Sequence, residues 1–152
     1  MKRHLLTGHD ADVARFVADL APIEKPKWVE PYWAFGVLKE DGSLCAGVVF
    51  SDWKPDFRTI EVSASAVSSY GISTQIVTTM YGFVFGQLDV FRIFARTSSR
   101  NAKAQKMLRH VGYTAEAVQG HYYGPNHHAA CWRLLRPEYE RKWGSVMEQK
   151  AA

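Results

Sequence analysis

The chain has 152 residues, 47% of them hydrophobic and 22% charged. That length suits one well-packed domain over residues 1–152 and excludes a multidomain machine, and the apolar and aromatic content excludes global disorder. The net charge of +4 is uneven, because residues 1–91 hold 8 Lys+Arg against 11 Asp+Glu while residues 92–152 hold 11 against 4.

In chain order, residues 3–6 read as a strand, and Thr7 or Asp10 can cap a helix over 10–20 in which Val13, Phe16, Val17 and Leu20 recur at helical spacing. Pro22, Pro26 and Pro31 mark a loop or short helix that carries Trp28. The apolar runs 33–38 and 43–50 flank Asp41-Gly42, a strong hairpin signal. A strand over 58–66 places Ile60, Val62, Ala64 and Ala66 on one face and Glu61, Ser63 and Ser65 on the other. Residues 68–88 read as a helix through Ile72, Ile76, Met80, Phe83 and Val84, although Gly82 and Gly86 weaken it. A strand over 90–96, a helix over 101–111 closed by Gly112, a strand over 129–135 and a short helix or tail over 138–149 complete the chain. Phe83, Phe85, Phe91 and Phe94 read as core.

The opening Met1-Lys2-Arg3-His4-Leu5-Leu6 turns polar at Thr7 and no run of about 18 apolar residues follows. A cytoplasmic protein without membrane partners is therefore expected. Cys45 and Cys131 lie in apolar stretches without CxxC spacing, which reads as buried free thiols. His121, His127, His128 and Cys131 have a metal-like composition, but two of the histidines are adjacent and no second cysteine pair exists, so no metal is expected. The basic second half suits a polyanion pocket, a nucleic-acid face or a membrane-facing patch. It lacks the basic and aromatic interleaving of a nucleic-acid platform, so no nucleic acid is expected.

The stretch Asn101-Ala-Lys-Ala-Gln-Lys-Met-Leu-Arg-His-Val-Gly-Tyr113 resembles the signature of the GNAT (N-acetyltransferase) family through Asn101, Ala104, Gly112 and Tyr113. The preceding Phe83-Val-Phe-Gly-Gln-Leu-Asp-Val-Phe-Arg-Ile93 is also similar to the family's pattern. The likeness covers residues 58–136 and is greatest to the ribosomal-protein N-terminal acetyltransferase-like branch and to compact phage-type members. It implies an α/β (α+β) fold with a mixed, mostly antiparallel sheet, splayed at the middle and flanked by helices. It also implies acetyl-CoA as co-substrate and a primary amine as acceptor, on a protein N-terminus, a lysine or a small molecule.

Family members cradle the pyrophosphate in a Gln/Arg-x-x-Gly-x-Gly/Ala turn, and the corresponding stretch here is Ser68-Ser-Tyr-Gly-Ile-Ser73. Gly71 matches and Ser68 replaces the leading side chain; the helix N-terminus still offers N–H groups to an anion. The resemblance therefore assigns Ser69, Gly71, Ile72, Ser73 and Thr74, with Asn101, Ala104 and Lys106, to the cofactor. Arg100, Lys103 and Arg109 are further cations for its phosphates.

Acyl transfer needs a neutral amine. At pH 7 deprotonation costs about 4.6 kcal/mol for lysine and about 1 kcal/mol for an α-amine. Glu61 stands where a number of relatives carry a base. Splaying after it would free backbone N–H near Ala66 or Val67 to bind the developing oxyanion. The Tyr that many relatives use to protonate the leaving thiolate is replaced by Leu108, which leaves Tyr113, His110, water or unassisted departure. Trp28, Tyr32, His121 and Tyr122 are expected around the acceptor. The alternative is a degenerate GNAT domain that binds CoA or a protein without turnover, and a homodimer stays open.

Overall fold

The structure is a computed structural model and describes residues 3–23, 25–67 and 73–151. The strands β1 (His4–Leu6), β2 (Trp33–Leu38), β3 (Leu44–Lys54), β4 (Thr59–Ala66), β5 (Arg92–Ser98), β6 (Thr114–Gln119) and β7 (Ala129–Leu135) form one sheet in the order β1-β2-β3-β4-β5-β7-β6. The helices are α1 (Asp10–Asp19), α2 (Thr74–Gly82), α3 (Ala102–Val111) and α4 (Arg136–Ala151), and a π-helical turn, Phe83–Gln87, continues α2. No helix among the described residues is long and apolar enough to cross a membrane.

Alternation along the strands divides the apolar residues between two faces. Phe35, Val48, Phe50, Ile60, Val62, Ile93, Trp132 and Leu134 meet α2, the π turn and α4 in the main core. On the other face α1 lays Val13, Ala14 and Val17 over Ala34 and Val49. Gly36 and Gly47 are opposed in register there, and a Cβ on Gly47 would stand 2.7 Å from Val17 and 3.0 Å from Val13. The missing side chains let α1 approach the sheet. Trp28 donates its indole N–H to the Ala14 carbonyl at 2.8 Å, which pins the proline-marked segment to α1 as an extended loop.

Among the described residues only β4 and β5 run parallel, and their pairing lasts for three residues, Thr59↔Arg92, Ile60↔Ile93 and Glu61↔Phe94. Beyond Glu61, β4 stays with β3 as far as Ala66, whereas β5 stays with β7 as far as Ser98. The sheet thus parts at its middle, as the sequence resemblance implies.

Several expectations need correction. The helix expected over 68–88 is described only from Thr74, and its last turn widens into the π turn, where Leu88 N–H reaches the Phe83 carbonyl at 3.2 Å. Strand β6 was not expected at all; its six residues are exposed at the sheet edge, so no apolar alternation announces it. Phe91 is 40% exposed beside the Arg58 guanidinium rather than in the core, and α4 starts two residues earlier than its sequence reading.

Candidate active site

The parting of β4 from β5 creates an opening, and the hydrogen-bond parity of β4 determines which backbone groups face it. Val67 donates its N–H to Cys45 at 2.9 Å, so odd-numbered residues of β4 turn their backbone groups toward β3 and even-numbered ones turn away. The even-numbered groups meet β5 as far as the ladder lasts. At Ala64 and Ala66 they face the gap. Of the two backbone donors expected near the acyl group, Ala66 N–H faces the gap, while Val67 N–H belongs to the β3 ladder.

Glu61 is the last β4 residue paired with β5, and its side chain lies on the α1 face at the mouth of the gap. Beside it is a groove of about 370 Å³ walled by Trp28 and Glu30 from the proline-marked loop, Asp52 and Trp53 from β3, and Ser63 from β4. Burial pushes the Glu61 carboxyl above its ordinary value, Arg96 and Lys54 oppose that shift, and the Asp52 carboxylate adds to it. Asp52 owes its place to a β-bulge between Ser51 and Lys54, where its φ of 54° lies in the left-handed region. The sequence reading ended this strand at Phe50 and so did not reach Asp52.

On the other flank, the loop between β6 and β7 is built by its histidines. The His128 ring Nδ1 accepts from His121 N–H at 2.8 Å, the His121 ring Nδ1 accepts from Asn126 N–H at 2.9 Å, and His127 Nε2 lies 2.5 Å from the Ser98 hydroxyl. These bonds shape the turn. Among the described residues no group of three His, Cys, Asp or Glu side chains is placed to hold a metal ion. Tyr122 is half exposed with the Arg96 guanidinium 4.5 Å from its ring centre. Burial raises the Tyr123 hydroxyl, Arg96 opposes that rise, and the Glu61 charge reinforces it, so Arg96, Tyr123 and Glu61 share one electrostatic neighbourhood. Neither Arg96 nor Asp52 was anticipated. Each becomes visible only when the strands are in register.

The remaining expected residues separate. Trp28 lines the groove, whereas Tyr32 packs against the α1 cluster. Tyr113 is 4% exposed, its hydroxyl lies 3.0 Å from that of Tyr81, and burial holds it well above its ordinary value. It belongs to the core face, closed off from the groove, and is not placed as a proton donor. Ser69, Gly71 and Ile72, with Ser68, lie outside the described residues. Ser73 caps α2 by accepting from Ile76 N–H at 3.2 Å, and Thr74 is the exposed first residue of that helix.

Asn101 caps α3, accepting from Ala104 N–H at 3.0 Å. Lys103 and Lys106 are exposed on α3, while Arg100 is tied to the Asn126 carbonyl at 2.7 Å and Arg109 covers Trp132. Asn101→Ala removes the cap and is expected to lower stability by about 1 kcal/mol. Urea unfolding checks this, and an unchanged midpoint would show that the cap contributes nothing.

No protein-family model matches the chain, and no curated protein sequence does. Solved structures do match. A Vibrio cholerae spermidine N-acetyltransferase in complex with CoA and spermine superposes with a TM-score of 0.71 at 15% identity, over 90% of this chain and 97% of that one. The spermidine/spermine N-acetyltransferase of the same organism in complex with manganese ions gives 0.73 at 14% identity, over 93% and 96%. A dodecameric structure of the Vibrio cholerae enzyme gives 0.70 at 15%, over 90% and 95%. At such identities the likeness speaks for the fold, and the chain has the fold of these N-acetyltransferases, with its seven-stranded, mostly antiparallel sheet parted between β4 and β5.

Proposed function

We propose that this protein is an acetyl-CoA-dependent N-acetyltransferase acting on a cationic primary amine. The observation that carries the reading is the gap between β4 and β5, with the backbone of Ala64 and Ala66 turned into it and a half-buried carboxylate, Glu61, at its mouth. An extended thioester arm fits such a gap, since parted strands offer backbone partners in place of their lost ladder. Lys103 and Lys106 on α3 are the cations for its phosphates. A bound thioester supplies an activated acyl group. The acceptor nitrogen gives a proton to Glu61, directly or through water, and bonds to the acyl carbon as the carbon–sulfur bond breaks. Ala66 N–H is the donor for charge developing on the acyl oxygen. The sulfur leaves as a thiolate, with a pKa of about 8.5 for a comparable thiol, and takes the second proton released by the nitrogen, relayed through water.

The carboxylates of Glu30, Asp52 and Glu61 outnumber Lys27 in the lining of the groove and, with Trp28 beside them, favour a cationic small-molecule amine over a neutral acceptor. Spermidine, the substrate named for the matched structures, is the first acceptor to test, beside an N-terminal peptide of the kind used by the ribosomal-protein branch. Calorimetric titration with acetyl-CoA is expected to show saturable binding. Absence of binding at millimolar ligand would contradict the reading, and binding without thiol release against the amine panel would favour a CoA-binding domain without turnover.

A further inference from the structure

Three arginines, Arg92 and Arg96 on β5 and Arg133 on β7, project from the sheet face that bears Glu61, and their partners differ. Arg92 bonds Glu116, and Arg133 lies 3.2 Å from Glu138 and 3.9 Å from Glu116. Arg96 has neutral partners instead. Its Nε donates to the Gln119 side-chain oxygen at 2.8 Å and its guanidinium covers Tyr122, with no ion pair among the described residues. It stands two residues beyond Phe94, the register partner of Glu61, where the two strands have just parted. An arginine left without a counter-ion at the mouth of a cleft keeps its field for whatever occupies that cleft.

We propose that Arg96 is a positioning residue for the acetyl transfer argued above, on which this inference rests: it fastens the Gln119 to Tyr122 arm beside the groove and sets an un-neutralised positive charge next to Glu61. Other charges face Glu61 as well. Asp52 and Lys54 come from β3, where they pair with each other at 2.9 Å. Lys27 and Glu30 come from the loop that walls the groove, and Tyr123 from the β6–β7 loop. Of the two cations that act most strongly on the Glu61 carboxyl, Arg96 and Lys54, Lys54 is held by Asp52, whereas Arg96 has no bonded carboxylate among the described residues. One side chain thereby joins the acceptor loop to the proton acceptor.

The decisive measurement is the titration of the Glu61 carboxyl carbon by NMR in glutamate-labelled protein, with the resonance assigned from Glu61→Gln. Arg96→Gln is expected to raise the Glu61 midpoint by about half a unit to one unit, since removal of a nearby cation disfavours the carboxylate. Arg96→Lys keeps the charge and should leave the midpoint near that of the wild type. Arg96 is exposed, so both variants are expected to melt like the wild type. An unchanged midpoint in Arg96→Gln, or an equal shift in Arg96→Lys, overturns the charge role. In turnover assays Arg96→Gln loses the guanidinium that holds Gln119 and Tyr122 together and is expected to raise the acceptor KM several-fold while keeping kcat at alkaline pH; an unaltered KM overturns the fastening role. The NMR titration needs no turnover, so an inactive wild type would count against the proposed function and leave this inference to be decided by the midpoints.

Discussion

Glu61→Gln is expected to lower acetyl transfer about 10²- to 10⁴-fold at pH 7, the range that a positioned general base contributes. The loss should be smaller at pH 10, where more of the amine is already neutral and the base has less to do. The sign of the wild-type profile follows from the environment of Glu61. Burial in the groove, with Asp52 close by, raises its carboxyl above the ordinary value despite Arg96 and Lys54. The base must be ionised to accept a proton, so the contribution of Glu61 to the rate is present above the raised value and is lost as pH drops through it. The acid limb should therefore stand above the ordinary carboxylate range. A wild-type limb that persists unchanged in Glu61→Gln would assign it to another group and remove Glu61 from the mechanism.

The largest stability effect is expected at Trp132. It is 1% exposed on β7, donates its indole N–H to the Thr97 hydroxyl at 3.1 Å, and lies under the Arg109 guanidinium, 5.0 Å from its ring centre. Trp132→Ala opens a cavity beneath α3 and is expected to cost about 3–5 kcal/mol. Domains of this size are stable by about 5–15 kcal/mol, so such a loss approaches unfolding at room temperature. Trp132→Phe restores most of the ring volume but leaves Thr97 without its donor, and is expected to cost about 1–2 kcal/mol. Urea denaturation of the three proteins checks the ranking. Equal midpoints for wild type and Trp132→Ala would show that the ring packs far more loosely than its burial implies.

Local signals made much of this fold legible. Asp41-Gly42 closes the β2–β3 hairpin, where Gly42 has a φ of 86° that its missing Cβ permits, and Gly112 ends α3 at 121°. Alternation along β4 placed Glu61 opposite the core, and Asn101 stands where a helix cap was read. Other features depend on partners distant in the chain. Strand β6 is exposed throughout and exists because β7 accepts it as an edge, so a reading based on apolar period passes over it. Tyr113 carries the family pattern, yet its hydroxyl meets Tyr81 in the core, and a motif residue near a site is not thereby in it. Asp52 needs a bulge and Arg96 needs the β4–β5 register before either is seen to neighbour Glu61. Strand registry, rather than any single motif, assembles this site.

The claim that this gap transfers an acetyl group to an amine is tested most directly by incubating the wild-type protein with acetyl-CoA and spermidine while thiol release and the mass of the amine are followed together. The account predicts thiol released in step with spermidine bearing one acetyl group, with both signals suppressed in Glu61→Gln. Bound acetyl-CoA with neither thiol release nor acetylated product, from spermidine or from any amine in the panel, would contradict it.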